Sequence, residues 1–190
     1  AKNFPGRCVS HYWLLAFSTL HHGFSLKSLY RNCQDHDGPS LLVIQSKDQV
    51  RLKTILTKKH QLNDFQFQEI FGAFLSDAPR VSERFYGTGE SWLFSCSSGI
   101  LKIYNWRGDN NFILRGNLNS LIIGSGMLRT VKCVIPVETL FLSKDHDGFG
   151  LWIDEELLHG RSQPVQTFKS PSLSSEKDFH INNLELWTFK

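Results

Sequence analysis

The segment from Gly148 to Ser162 places the strongest constraint on how this 190-residue chain can fold. Residues 149–153 put large apolar side chains on both faces of an extended segment, a pattern typical of a strand buried on two sides. The segment then becomes polar and ends in His159, a glycine, Arg161 and Ser162. We therefore expect a rigid core strand that delivers polar side chains to a glycine-hinged loop, as functional sites often do.

The composition supports one domain built on sheets. The length suits a single domain, and the chain is 41% hydrophobic with 15 Phe and 5 Trp. Large aromatic side chains in this number favour sheets that pack through aromatic contacts. Period-2 patterns predict about eight or nine strands, at residues 11–18, 40–45, 70–75, 92–94, 101–106, 111–115, 120–126, 149–153 and 180–189.

The order of these elements predicts local pairing. Residues 70–75 are the expected partner of 40–45, with a glycine that permits a close backbone approach or a bulge, and 101–106 with 111–115 resemble a hairpin. Ser25 is a predicted helix cap, His21-His22-Gly23 a turn, and 174–179 a helical turn with capping-box spacing. The predicted fold class is α+β, mainly β: a two-sheet antiparallel β-sandwich with short peripheral helices.

Charge and hydropathy exclude several kinds of partner. The net charge is +3, from 21 basic and 18 acidic residues, and the only basic run, Lys58-Lys59-His60, is typical of a solvated surface. We therefore expect no nucleic-acid partner. No apolar run reaches 18 residues, so we also expect no membrane insertion. The expected assembly state is a monomer.

The four cysteines favour a reducing compartment. Cys8, Cys33, Cys96 and Cys133 are widely spaced and form no CxxC pair, in a chain large enough not to need disulfides. We expect an intracellular protein, cytoplasmic or also nuclear or at organelle surfaces. The chain begins at Ala1 without a leader-like segment, and we expect it to be N-terminally truncated.

Taken together, the motifs resemble the TLDc domain family over nearly the whole chain. The resemblance rests on segments in the family's order: residues 22–30, 71–74, 85–90, 92–95, 120–126, 149–154, 159–162, 167–168 and 184–187. It implies a two-sheet sandwich with flanking helices and a role in resistance to oxidative stress. It also implies binding to subunits of the vacuolar-type proton-pumping ATPase. No catalytic activity is settled for the family, and the short chain looks most like its small TLDc-only members.

Two segments depart from the family's pattern, at residues 50–68 and 127–145. The ends of the first segment can be encoded by splice-like sequences: Val50-Arg51 by GTAAGA, which resembles a donor, and Phe67-Gln68 by TTTCAG, which resembles an acceptor. We therefore infer a retained intron. The alternative is a tolerated surface insertion, since loop closure costs little extra with length. Spliced messenger RNA that still encodes residues 50–68 would refute the intron origin of this segment. The second segment has no equally clear junctions, so a retained intron and a surface insertion remain equal alternatives for its origin.

Two polar loops are the candidate functional surface, with Gly87, Gly89, Glu90, Asp154, Gly160, Arg161 and Ser162 as its residues. Glu90 is either a partly buried carboxylate acting as acid or base, or a brace that accepts backbone N–H bonds. Asp154, His159 and Ser162 are catalytic candidates as base, orienter and nucleophile, although no Gly-x-Ser-x-Gly elbow is present. The alternative is that Arg161 pairs with Asp154 or Glu185 and locks the loop.

Other chemistry is weakly supported. Asp-His-Asp-Gly occurs at 35–38 and 145–148, but neither copy continues as a calcium loop, and Gly87-Thr-Gly89 lacks the third glycine of a dinucleotide loop. We expect no metal and no cofactor. Family members often carry Cys after the Gly-Arg-Ser motif, where this chain has Val165, and this counts against peroxide scavenging there.

The leading hypothesis is therefore a non-enzymatic TLDc module that binds a protein partner. The alternative is an uncharacterised enzyme, either a hydrolase or a thiol-dependent peroxide scavenger. Both hypotheses place the loops around Glu90 and Arg161 next to each other at a common rim of the sandwich.

Overall fold

Ten strands and three short helices make up the part of the chain described by the computed structural model, residues 4–9, 11–51, 66–97, 99–126 and 148–189. The helices are α1 (Gly6–Val9), α2 (Thr19–His22) and α3 (Leu26–Cys33). The strands are β1 (Trp13–Ser18), β2 (Ser40–Arg51), β3 (Gln66–Leu75), β4 (Trp92–Ser97), β5 (Ile100–Asn105), β6 (Leu114–Gly116), β7 (Ser120–Ser125), β8 (Phe149–Asp154), β9 (His159–Arg161) and β10 (Asp178–Phe189).

All strand pairs are antiparallel, and β10 connects two sheets. The strands follow the order β5-β4-β3-β2-β10-β9-β8-β7-β6, and β1 also pairs with β10. The first part of β10, residues 178–180, pairs with β9, whereas residues 181–188 pair with β2. The C-terminal strand therefore holds together one sheet of β1 to β5 and a second sheet of β6 to β9.

The main core lies between these two sheets. It contains fully buried residues of the first sheet, such as Leu42 and Phe71, together with Ile123 and Leu151 of the second. A smaller cluster on the outer face of the first sheet joins Phe74, Trp92 and Phe94 with Cys8 and Leu41. A core enclosed by two sheets is the expected β-sandwich, so the predicted fold class is confirmed.

Local sequence signals explain the helices and the closest strand contact. The Ser25 hydroxyl accepts the Ser28 N–H at 3.4 Å as the cap of α3, and Leu26 and Leu29 are buried as their spacing predicts. A Cβ at Gly72 would lie 2.0 Å from the Leu42 carbonyl oxygen. The glycine in β3 therefore permits the close approach of β2 that the sequence suggested.

Four local predictions were wrong. Residues 101–106 do not pair with 111–115: β5 pairs with β4, whereas β6 pairs with β7. Residues 174–177 are bends rather than a helical turn, and α2 occupies the predicted turn at 21–23 as far as His22. The segment 159–161 is a strand rather than a loop, because the neighbouring β8 and β10 supply hydrogen-bond partners on both sides.

The ends of the two departing segments are partly described. Residues 50 and 51 pair with 67 and 66, so β2 and β3 continue as a ladder into the first segment, while residues 52–65 lie outside the described residues. Gly126 donates its N–H to the Gly148 carbonyl at 3.2 Å, at the two ends of the second segment, and residues 127–147 are also outside the described part. The intron origin of the first segment stays a prediction.

Candidate functional site

The predicted site residues fall into two separate groups. We call Arg7, Ser76, Asp77, Thr88 and Glu90 the Glu90 cluster, and Asp154, His159, Arg161, Asp178 and His180 the Arg161 cluster. The Glu90 cluster lies on the connection between β3 and β4, apart from Arg7 in α1, and the Arg161 cluster lies on β8, β9 and the start of β10. Each group has its own hydrogen bonds and ion pairs.

Ser76 organises the loop that carries Glu90. Its hydroxyl accepts the Thr88 N–H at 2.7 Å and lies 2.7 Å from the Asp77 Oδ2, and its own N–H is donated to the Ser91 hydroxyl at 3.0 Å. Gly87 has a φ of +96°, a region that favours glycine, and Gly89 lies against the Trp106 indole. These contacts fix the backbone from which the Glu90 side chain projects.

Glu90 itself is exposed rather than partly buried, so that expectation was wrong. Its side chain is 43% exposed and forms an ion pair with Arg7, whose side chain is 52% exposed. The Glu90 N–H is donated to the Thr88 hydroxyl at 3.4 Å. The carboxylate therefore connects the loop to α1 rather than bracing it through backbone N–H groups.

The Glu90 cluster borders an open cleft of about 800 Å³. Its walls come from α1, the segment before β2 and the β3–β4 connection: Arg7, Asp37, Gly38, Pro39, Ser76, Asp77, Thr88, Gly89 and Glu90. Three carboxylates and one guanidinium line it. This wide opening with charged side chains along its walls suits contact with another protein better than enclosure of a small substrate, which is usually held in a more closed pocket.

The Arg161 cluster is a network of side chains on paired strands. His159 Nδ1 lies 3.1 Å from Asp154 Oδ2, and Asp154 Oδ1 accepts the Leu158 N–H at 2.9 Å. The rings of His159 and His180 are 4.8 Å apart on opposing strands. The Arg161 guanidinium donates to Asp178 at 2.5 Å, so the pairing carboxylate is neither of the two expected ones, Asp154 and Glu185.

Ser162 is placed as a structural bridge. Its hydroxyl donates to the Gly150 carbonyl at 2.7 Å and accepts the Leu173 N–H at 2.9 Å, and the residue is 1% exposed. Asp154 and His159 are in contact, as a catalytic base and its orienting residue would be in an enzyme. A nucleophilic hydroxyl must also present its oxygen to the imidazole and to the substrate, whereas the Ser162 hydroxyl is bonded to backbone groups. The buried bonds of Ser162 favour the locking role considered for this segment.

Two of the three described cysteines are buried packing residues. Cys8 and Cys33 are buried and Cys96 is intermediate, and each has a free thiol, while Cys133 lies outside the described residues. Burial raises the pKa of Cys33 to about 12 and also raises that of Cys8. A raised pKa lowers the thiolate fraction, which is the reactive form. Val165, which follows shortly after the Gly160-Arg161-Ser162 motif, is 3% exposed in the core.

The two clusters do not share one rim. Trp92, two residues after Glu90, is aligned through β3 and β2 with Trp187 near the end of β10. Arg161 is opposite Asp178, the first residue of β10. The clusters are thus associated with opposite ends of this strand, and the expectation of adjacent loops was wrong.

Three residues with specific bonding roles were missed, two in these clusters and one outside them. Arg7 and Asp178 supply the partners of Glu90 and Arg161, and no spacing in the sequence indicates either pairing. Glu69 is a carboxylate only 6% exposed that accepts the Ser174 hydroxyl at 2.9 Å and the Ser175 N–H at 3.1 Å. The available signal was a lone acidic residue in the apolar run 69–75. A carboxylate buried there needs hydrogen-bond partners, so its position indicates that such partners exist elsewhere in the chain.

Two features are absent from the described residues. No group of three or more His, Cys, Asp or Glu side chains within those ranges is arranged to hold a metal ion. No helix in the described ranges is long and apolar enough to cross a membrane.

The fold and the two clusters define a class: a β-sandwich domain that displays polar side chains on a structured connection and on paired strands. Comparison with known proteins narrows this class. A family model for the TLDc domain matches residues 1–190. Nuclear receptor coactivator 7 from Gallus gallus is 36% identical over 190 residues, which cover 100% of this chain and 17% of that protein.

Further relatives agree with this match. Nuclear receptor coactivator 7 from Mus musculus is 35% identical over 190 residues, 100% of this chain and 16% of that protein. Oxidation resistance protein 1 from Homo sapiens is 33% identical over 189 residues, 100% of this chain and 17% of that protein. The chain belongs to the TLDc domain family, as the motifs indicated, and spans 16–17% of the length of these relatives.

Proposed function

We propose that this chain is a TLDc module that contributes to resistance to oxidative stress by binding and regulating the vacuolar-type proton-pumping ATPase inside the cell. The observation that carries the role in oxidative stress is the similarity of the whole chain to oxidation resistance protein 1. The role of the pump as partner follows from the family resemblance. The similarity covers the domain alone, so the proposal concerns what this domain does.

The geometry supports binding over catalysis. At an open cleft, the Glu90 cluster exposes an acidic carboxylate on a loop held by Ser76 and a guanidinium from α1. Exposed charges on a rigid loop suit recognition of a polar protein surface, because they set partner choice and association rate. Ser162 is buried and bonded to backbone, which removes the most direct hydroxyl nucleophile.

The test uses the soluble subunits of the pump. We expect the purified chain to retain pump subunits in a pull-down. Glu90→Gln should weaken retention about three- to tenfold, because it removes one charge from the exposed cluster. Glu83→Gln is the matched control, since Glu83 is a carboxylate with an 86% exposed side chain on the same connection. Retention by the control should match that of the unchanged chain.

Cells exposed to peroxide provide the second readout. Expression of the chain should increase survival, and Glu90→Gln should reduce survival and pump retention together. If Glu90→Gln abolished protection while pump retention stayed intact, the enzyme alternative would be favoured instead. If the unchanged chain retained no pump subunit, the pump would be refuted as the partner.

A further inference from the structure

Strand β5 forms one outer edge of the sheet. In the strand order it stands at one end, beside β4. Outside its ladder with β4, no backbone hydrogen bond joins residues 100–105 to any other described residue. Ile100 and Leu101 are 63% and 59% exposed. An edge of this kind offers backbone N–H and C=O groups to another extended chain.

The hairpin between β4 and β5 identifies the groups that face outward. Ser97 is opposite Ile100, which leaves a two-residue connection, and the pair that closes such a hairpin exchanges its backbone hydrogen bonds. Bonded and non-bonded pairs alternate along an antiparallel ladder. The backbone groups of Leu101, Ile103 and Asn105 therefore point away from β4, toward the open edge.

The other edges are less open. At β6, Tyr86 and Leu114 exchange backbone hydrogen bonds of 2.8 and 3.0 Å, and the Gly116 carbonyl accepts the Ser82 N–H at 2.7 Å. At β1, helices α2 and α3 lie close to the strand, and its last residues, Phe17 and Ser18, are buried. Among the described strands β5 thus differs from β6, whose edge is bonded to the chain itself, and from β1, whose second half is buried.

The side chains of β5 indicate what would pair with it. Ile103 packs against the smaller cluster on one face of the sheet, and Tyr104 packs against the main core on the other. An added strand with aliphatic side chains would therefore extend both apolar faces. Lys102 carries the only charge of the strand and is exposed. Its backbone groups point toward β4, so the residue opposite it on an added strand would form a non-hydrogen-bonded pair with it, in which side chains are closest.

We propose that β5 is a docking edge for an extended segment of a partner protein that carries aliphatic residues and an acidic residue opposite Lys102. Such a segment would bond to Leu101, Ile103 and Asn105 as an additional antiparallel strand. A second copy of this chain fits less well, because β5 against itself brings two lysines together and supplies no carboxylate. The proposal goes beyond the proposed function, since it holds whichever protein supplies the segment.

The test on the unchanged chain uses two synthetic peptides. One is acetyl-Thr-Ile-Glu-Val-Thr-Val-amide, and the other has Lys in place of Glu. Amide hydrogen exchange is followed by NMR with and without each peptide. We expect the acidic peptide to protect the amides of Leu101, Ile103 and Asn105 by at least about tenfold, and to leave those of residues 102 and 104, already bonded to β4, nearly unchanged.

A charge exchange tests the role of Lys102. Lys102→Glu should weaken binding of the acidic peptide about tenfold and strengthen binding of the Lys peptide by a similar factor, measured by fluorescence anisotropy. Lys27→Glu is the matched control, since Lys27 is an exposed lysine on α3, and its affinities should stay within about twofold.

A backbone change tests the hydrogen bonds. Leu101→Pro removes one outward N–H at an edge position, where proline is tolerated, and should weaken peptide binding at least about tenfold. Leu101→Thr keeps the N–H and should stay within about threefold. Circular dichroism melting establishes whether each variant is folded. If Leu101→Pro does not fold, the hydrogen-exchange pattern of the unchanged chain decides whether the peptide pairs with β5.

Three outcomes would overturn the proposal. The first is the absence of protection at Leu101, Ile103 and Asn105 at millimolar peptide. The second is protection of these amides that rises with protein concentration without peptide, which would indicate self-pairing. The third is equal affinity of the two peptides for both the unchanged chain and Lys102→Glu.

Discussion

Gly72 is the residue at which the smallest change should have a large effect. A methyl group there would lie 2.0 Å from the Leu42 carbonyl oxygen and 3.0 Å from the Phe94 ring. Since the nearer atom is backbone in the centre of the sheet, the strands must separate to admit it. We expect Gly72→Ala to lower the free energy of unfolding by more than about 2 kcal/mol, measured by urea denaturation.

Gly38 provides the matched control for this substitution. A Cβ at Gly38 would meet nothing within 4 Å, and its φ is not in the left-handed range. Gly38→Ala should change the free energy of unfolding by less than about 1 kcal/mol. Equal effects of the two substitutions would contradict the close approach of β2 and β3.

Cys33 gives the fold a dependence on alkaline pH. Burial raises its pKa from 9.0 to about 12, so between these values the unfolded chain loses a proton that the folded chain keeps. The stability that Cys33 contributes is thus fully present below pH 9, and it is lost progressively as the pH rises toward 12. We expect stability to decrease by up to about 1.4 kcal/mol per pH unit in this range.

Urea melts at pH 8 and pH 10.5 measure this effect. Cys33→Ala should reduce the alkaline loss of stability, whereas Cys96→Ala should not, because Cys96 is only partly buried. Tyr86, whose pKa is raised by burial to about 12, contributes in the same direction and remains in both variants. An unchanged alkaline slope in Cys33→Ala would contradict this account.

At the scale of elements, the pairing of β2 and β3 should survive removal of the first departing segment. Residues 40–45 pair with 70–75 in the core, and the ladder is interrupted before it resumes at 49–51. We expect deletion of residues 50–68 to leave a cooperative melt with a free energy of unfolding within about 1 kcal/mol of that of the intact chain. Loss of the cooperative transition would mean that the segment belongs to the core.

Strand positions could be predicted from the sequence more reliably than strand partners. Periodicity located β1, β7, β8 and most of β10 because burial on one or both faces leaves a local pattern. The hairpin predicted between residues 101–106 and 111–115 was wrong, because β5 is paired with β4 by a still shorter connection. Strand β9 was missed, since its three residues are placed by neighbours distant in sequence.

The candidate site shows the same limit. The polar residues at 87–90 and 154–162 could be selected from the sequence because they follow strands and glycines. Their exposure and partners could not, because Arg7 lies 83 residues from Glu90 and Asp178 lies 17 from Arg161. Contacts of this length depend on the complete topology rather than on any local pattern.

For the whole molecule, β10 should be the element whose loss is least tolerated. It pairs with β1, β2 and β9 and contributes Phe179, Ile181, Leu184 and Leu186 to the main core. A chain shortened to end at residue 177 should show no cooperative thermal transition by circular dichroism. Removal of residues 1–9, whose described part holds α1 and places Cys8 in the smaller cluster but forms no strand, is the control and should preserve the transition. Two similar melts would contradict the central role assigned to β10.

The position of β10 also bears on how the protein is made. Synthesis proceeds from the N-terminus, so β1 to β9 leave the ribosome before the strand that joins the two sheets. Until then β2 and β9 have no neighbour on the side that β10 will fill, and nascent chains with unpaired strands are prone to aggregate. Final assembly must therefore wait until the last residues of β10 have emerged.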